Sequence, residues 1–148
     1  MLFAPQPQTI GRGRPLNHLY QQVDISSQVL SASPHRLVTM LYDGLLEALN
    51  RARGALQRQD IPGKADAISR AARIVDEGLK AGIVNPDGSE LAANLHALYV
   101  YISMRLTQAN LRNDDQVLQE CIRLIAPLRE AWVAIGAEVD GSPARPQA

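Results

Sequence analysis

The sequence predicts an all-α protein, an antiparallel up-down four-helix bundle with a short additional N-terminal helix. Three observations support this fold class. Four long segments place apolar residues at the three- and four-residue spacing of an amphipathic helix, and no segment shows the alternation typical of a strand. The connections between these segments are short, which forces neighbouring helices to run antiparallel. A chain of 148 residues with 46% apolar composition can bury one sizeable core.

The N-terminal end contains a tail and a short helix. Residues 1–15 combine prolines and glycines without periodicity, so we expect a flexible tail. A short helix is predicted over residues 16–24, with Leu19, Tyr20 and Val23 at helical spacing. Because so short a helix is not stable alone, we expect it to dock on the bundle or to fray.

The first two long helices are predicted over residues 34–59 and 61–82. Ser33 suits the N-cap of the first, with Pro34 at its first helical position. Asp60 suits the N-cap of the second, with Pro62 just behind it. The two predicted seams are Leu37, Leu41, Leu45, Ala48, Ala52 and Leu56, and Ile61, Ala65, Ile68, Ala72, Val75 and Leu79.

The other two long helices are predicted over residues 88–112 and 114–136. Asp87 followed by Glu90 resembles a capping box, with the aspartate as the cap. Asn113 or Asp114 should cap the last helix, and Pro127 inside it should kink that helix by removing a backbone hydrogen bond. Residues 137–148 resemble the N-terminal tail in composition, so the predicted domain covers residues 16–136.

Composition and charge argue against several classes of protein. Fifteen basic residues balance fifteen acidic ones, which argues against a nucleic-acid binder that works through bulk charge. A single cysteine, Cys121, excludes an intrachain disulfide framework and suits a reducing compartment. We find neither an apolar run of about 20 residues nor a secretory signal, so we expect a cytoplasmic protein without membrane insertion.

The sequence contains no recognisable catalytic or cofactor site, so we do not expect an enzyme. The three histidines, His18, His35 and His96, lack metal-ligand spacing. The Gly63-Lys64 pair lacks the surroundings of a phosphate-binding loop, and Cys121 falls on an apolar seam. A histidine phosphotransfer module using His96 is an alternative, although Ala-Leu-Tyr follows this histidine where such modules have lysine and glycine.

Surplus apolar side chains on the first long helix suggest a partner-binding surface. Tyr42 and Leu46 project about 80–120° from the seam centre, and Met40 projects on the opposite flank. Either the short N-terminal helix covers this surplus, or a partner segment occupies it. The two interpretations are compatible if Leu19, Tyr20 and Val23 form a displaceable lid.

Two further groups complete the candidate surface. Gly44 costs roughly 1 kcal/mol relative to alanine inside a helix, so we expect another chain or helix to approach closely there, with Asp43 pointing away from the core. Asn94, Tyr101 and Arg105 share one flank of the third long helix. They either form a polar network that locks the helices or satisfy the backbone of a bound chain. Asn110 is predicted to be a buried amide that needs partners.

Several stretches resemble the flagellin export chaperone family FliS, over about residues 17–136. The most similar are Met40-Leu41-Tyr42-Asp43-Gly44, Ala93-Asn94-Leu95, Arg105-Leu106 with Ala109-Asn110-Leu111, and Arg129-Glu130-Ala131-Trp132. One stretch departs from the family, which often has Gly-Gly-Glu before the third long helix, whereas this chain has Asp87-Gly88-Ser89-Glu90. A left-handed backbone at Ser89 would be strained.

The resemblance implies a cytoplasmic export chaperone without a cofactor. Such a chaperone binds the disordered C-terminal segment of flagellin, prevents premature polymerisation and hands the client to the flagellar type III export apparatus. In that family a short N-terminal segment can fill part of the client groove, which agrees with the predicted lid. The export gate and assembly regulators are further implied partners, and the chain itself is expected to be a monomer or weak homodimer. A helical adaptor for another partner is the alternative.

Overall fold

The structure is a computed structural model that describes residues 32–141, with side chains up to residue 137. The chain divides into two compact units, residues 1–37 and 38–148. In the described part of the first unit, Ser33 caps the first helix as predicted, because its Oγ accepts a hydrogen bond from the Arg36 amide at 3.1 Å. The predicted tail 1–15 and helix 16–24 lie outside the described residues. The single domain over residues 16–136 therefore stays a prediction.

Four helices make up the described chain, which is all-α as predicted. Helix α1 is Pro34–Gln57, and α2 is Ile61–Arg73. Helix α2 continues without a break as a π-helical segment, Ile74–Lys80. Helix α3 is Glu90–Arg112 and α4 is Asp115–Gly141, and no strand occurs between residues 32 and 141.

Neighbouring helices run antiparallel, as side-chain pairs within residues 38–137 show. In each pair of helices, an early residue of one meets a late residue of the other. Between α1 and α4 the pairs are Arg53–Asp115 and Asp43–Arg129. Lys64–Asn110 joins α2 to α3, and Asp76–Ser103 joins the π-helical segment after α2 to α3. This arrangement confirms the up-down order of the four long helices.

The core is mainly aliphatic, in keeping with an aromatic content of only 4%. The largest side chains that are fully buried come from α1, from the π-helical segment that continues α2, from α3 and from α4: Leu45 and Leu49, Val75, Ile102 and Leu106, and Leu118, Cys121 and Ile125. Burying each such side chain contributes about 1.5–3 kcal/mol relative to leaving it exposed, so packing of the seams supplies most of the stability.

Besides Ser33, two helix boundaries confirm the predicted caps and one corrects them. Asp60 caps α2 through its Oδ1, which accepts from the Gly63 amide at 3.0 Å. Asp114 caps α4 through a 3.0 Å bond from the Gln116 amide. Asp87 does not cap α3, because Ser89 does so by accepting from the Ala92 amide at 3.0 Å. Ser89 has φ −159°, which is extended backbone, so the serine fits without strain and adds a cap.

Helix α4 extends five residues beyond its predicted end at 136 and reaches Gly141. The boundary of the C-terminal tail at residue 137 is therefore wrong. Ala137 and Glu138 favour a helix, and the first strong stop signal in the sequence is Gly141 followed by Ser142 and Pro143. The helix also runs through Pro127.

Candidate functional site

Tyr42 lies in the core, where it is only 3% exposed, so the expectation of a surface tyrosine at this position is wrong. Its hydroxyl is 2.6 Å from the hydroxyl of Tyr99 on α3. Burial raises the pKa of both phenols above the ordinary value. A hydrogen-bonded pair of this kind lets two large rings enter an aliphatic core without leaving a polar atom unsatisfied.

Gly44 marks a close approach between α1 and the segment that follows α2, as predicted from its cost inside a helix. A Cβ atom at this position would lie 3.3 Å from Cδ1 of Ile74. The π-helical segment presents a second glycine to α1, because a Cβ at Gly78 would lie 2.9 Å from Cδ2 of Leu41. The two glycines therefore set the separation of these helices, and the neighbour at Gly44 is a helix of the same chain.

The remaining candidates on α1 differ in exposure. Asp43 is exposed, and its carboxylate accepts a hydrogen bond from the guanidinium of Arg129 on α4. Met40 and Leu46 are half-buried, and Leu46 packs against the core. The three proposed lid residues, Leu19, Tyr20 and Val23, lie outside the described residues.

The polar flank of α3 forms a network that joins this helix to α4. The Tyr101 hydroxyl donates to Oε2 of Glu120 at 2.6 Å, and Arg105 Nε donates to Oε1 at 2.8 Å. These two donors lower the pKa of the Glu120 carboxyl. Of the two predicted roles, the locking network therefore describes Tyr101 and Arg105, whereas Asn94 is exposed and outside the network.

A buried lysine was not predicted from the sequence. Lys64 is 3% exposed, and its Nζ donates to the backbone carbonyl of Asn110 at 2.8 Å and to its side-chain oxygen at 2.7 Å. Asn110 lies in the last turn of α3, where a cation stabilises the free carbonyls. Asn110 is half-buried and not buried as predicted, although its side-chain oxygen has the expected partner. For Lys64, the apolar residues spaced around it in the sequence were the one indication of burial.

Cys121 is a fully buried core residue, as its place on the seam predicts. Burial raises the pKa of its thiol to about 11. Because the thiolate is the reactive form, the folded protein should react with Ellman's reagent about two orders of magnitude more slowly than the urea-unfolded chain at mildly alkaline pH. A Cys121→Ser variant, which has no thiol, is the negative control for this reaction. Rapid stoichiometric reaction of the folded protein would contradict the buried placement.

Other kinds of site find little support in the described part of the chain. His96 is half-buried on α3. Between residues 32 and 141, no group of three or more histidine, cysteine, aspartate or glutamate side chains could hold a metal ion. Within the same range, every helix is too short or too polar to cross a membrane.

Comparisons with known proteins give a consistent result. The family described as flagellar protein FliS matches residues 16–139. The flagellar secretion chaperone FliS of Salmonella typhimurium is 49% identical over 116 residues, which cover 78% of this chain and 86% of that protein. The flagellar secretion chaperone FliSB of Pseudomonas aeruginosa is 43% identical, with 78% and 91% coverage. FliS of Bacillus subtilis is 33% identical, with 76% and 80% coverage.

Proposed function

Because the chain belongs to the FliS family of flagellar secretion chaperones, we propose that it binds the disordered C-terminal segment of flagellin in the cytoplasm. By holding that segment it prevents premature polymerisation, and it then hands the client to the flagellar type III export apparatus. The observation that carries this proposal is the extent of the family match. Residues 16–139 take in all four described helices except the last two residues of α4.

The proposed mechanism is capture of a disordered segment that forms helices on the chaperone surface. An amphipathic helix can place its apolar side in a groove and leave its polar side in water. Ordering a flexible client costs free energy, so a large contact area is needed for modest affinity.

The candidate contacts are the accessible residues of the predicted surface. Met40 and Leu46 offer apolar contact on opposite flanks of α1. Asp43, which projects between them, offers a charged pair with Arg129 of α4. Asn94 is an exposed amide able to pair with a client backbone. We propose that Tyr42, Tyr101 and Arg105 hold the helices that carry this surface in place. We also propose that Leu19, Tyr20 and Val23 cover the surface before the client binds.

Calorimetric titration with purified flagellin tests the proposal. We expect saturable binding of intact flagellin and little or no heat with flagellin that lacks its C-terminal segment. Equal binding of both forms would contradict capture of that segment. If neither form binds, the chain is an adaptor for another partner.

The same titration can locate the contact surface. Asp43→Lys replaces an exposed carboxylate that pairs with Arg129, and Asp66→Lys makes the same change at an exposed position of α2. We expect the first variant to weaken flagellin binding and the second to leave it unchanged. Equal affinities would place the client elsewhere on the bundle while leaving the chaperone function intact.

A further inference from the structure

Asp87 and Gly88 lie next to each other in the connection before α3, where the aspartate has no structural role. Both residues are exposed. The cap of α3 is Ser89, so the Asp87 carboxylate is not used there. It also makes no hydrogen bond or ion pair with any residue that the structure describes. The side chain is therefore free to turn back towards its own backbone.

An aspartate followed by a glycine has a covalent chemistry of its own. The glycine nitrogen attacks Cγ of the aspartate and forms a C–N bond, while the amide proton and the carboxyl hydroxyl leave together as water. Water then opens the resulting succinimide ring at either carbonyl, which gives aspartate or isoaspartate. No oxidant, reductant or further reactant is needed. Glycine favours the attack because it has no Cβ and leaves the backbone free to rotate.

The backbone at Gly88 is held weakly enough for this attack. Its amide donates to the carbonyl of Asn85 at 2.9 Å, which closes a four-residue turn with Pro86 at the second position. Asp87 does not have a positive φ, so the turn places no strain on it. Breaking one hydrogen bond in an exposed connection costs little free energy, so the turn opens while the helices stay folded.

The same dipeptide occurs in α1 in the opposite situation. Asp43-Gly44 lies inside Pro34–Gln57, where the ladder of helical hydrogen bonds fixes the glycine amide. The Asp43 carboxylate is also paired with the guanidinium of Arg129 on α4. This aspartate can reach the next nitrogen only if the helix opens. The fold therefore protects one Asp-Gly pair and leaves the other accessible.

We propose that Asp87-Gly88 is a modification site, at which the folded chain converts spontaneously to isoaspartate through a succinimide. The main chain of isoaspartate runs through its side-chain carbons, so the product lengthens the connection before α3. Lengthening a surface connection costs little, and the modified chain should keep its helices. The site lies outside the residues proposed to bind flagellin, and the inference goes beyond the proposed function.

Ageing of the purified full chain at neutral pH and physiological temperature tests the inference. Trypsin releases Asp43 and Asp87 in separate peptides, residues 37–51 and 81–105, each with a single aspartate. Mass spectrometry with electron-transfer fragmentation distinguishes isoaspartate from aspartate in both. We expect isoaspartate to accumulate about tenfold faster at Asp87 than at Asp43, because only the amide of Gly88 opens without unfolding a helix.

Two controls separate the effect of the fold from that of the dipeptide. In guanidinium chloride the chain is unfolded and both pairs are free, so the two rates should become similar. Asp87→Glu keeps the charge but would need a six-membered ring, which forms much more slowly. This variant should lose the product in peptide 81–105 and behave like the original chain at Asp43.

Three outcomes would overturn the inference. Isoaspartate could form equally fast at Asp43 and Asp87 in the folded chain, it could be absent at Asp87 while the unfolded chain forms it, or circular dichroism could show helix loss in proportion to the product. Retained helical signal with product confined to Asp87 supports the inference. None of these measurements involves flagellin, so failure of the inference leaves the proposed function intact, and the reverse also holds.

Discussion

Lys64→Ala should lower the free energy of unfolding by about 3 kcal/mol. The wild-type ammonium group donates two hydrogen bonds to Asn110, through its backbone carbonyl and its side-chain oxygen. Removing it leaves both acceptors without this donor, opens a cavity beside α3 and takes a cation from the C-terminal end of that helix. These effects act at one buried position, so their sum is large for a lysine.

Two further variants separate the contributions at this position. Lys64→Met keeps most of the aliphatic stem, so we expect roughly half of the loss. Lys80→Ala removes a lysine whose side chain is 31% exposed and lies 3.3 Å from Asp76, and such pairs contribute little. Urea unfolding followed by circular dichroism measures all three. If Lys64→Ala costs no more than Lys80→Ala, the buried cap does not stabilise the protein.

Gly44→Leu should also lower the free energy of unfolding by about 3 kcal/mol. Even a Cβ at this position would lie 3.3 Å from Cδ1 of Ile74, so a branched side chain must push the segment after α2 away from α1. The displacement would disturb the packing of Ile74 and Val75, which are both buried.

Alanine substitutions provide the comparison. Gly44→Ala should be close to neutral, because a gain of about 1 kcal/mol in helix propensity offsets the tight contact with Ile74. Gly54→Ala should keep most of that gain, since its Cβ meets only the flexible tip of Arg58, at 3.3 Å. Thermal and urea unfolding give both values. A Gly44→Leu protein as stable as the original would show that the helices are not held close at this glycine.

Local signals account for most of what the sequence predicted. Ser33, Asp60 and Asp114 act as caps within a few residues of their own positions, so their roles follow from short stretches of sequence. The third helix shows the limit of this reasoning. Asp87 and Ser89 both have capping side chains, and the choice depends on the path of the chain between α2 and α3.

What the sequence did not predict depends on contacts between distant helices. Lys64 is buried because its ammonium group reaches the end of α3, and Tyr42 is buried because Tyr99 satisfies its hydroxyl. Neither partner is visible from local spacing. The π-helical segment was also not predicted, because apolar positions spaced alternately by four and three fit an α-helix equally well.

The candidate site also contains some features that the sequence predicted and others that it left open. The close approach at Gly44 was predicted from the low helix propensity of glycine. A glycine in the middle of a helix is explained when another helix packs too closely to leave room for a side chain. The flank of α3 left two interpretations open, and only the position of Glu120 on α4 decided between them for Tyr101 and Arg105. A spacing pattern on one helix shows which side chains share a face, and it does not show what lies opposite.

The order of the four described helices along the chain has a consequence for biosynthesis. This helix supplies Val117, Leu118, Cys121 and Ile125 to the core, and it is the last of the four to leave the ribosome. Until then the first three helices lack the helix that completes the bundle, and their apolar seams remain accessible to water and to other nascent chains. Because domains generally fold as units during synthesis, the core can close only after translation of this final helix. This member of the FliS family therefore passes through a partly folded state of its own each time that it is synthesised.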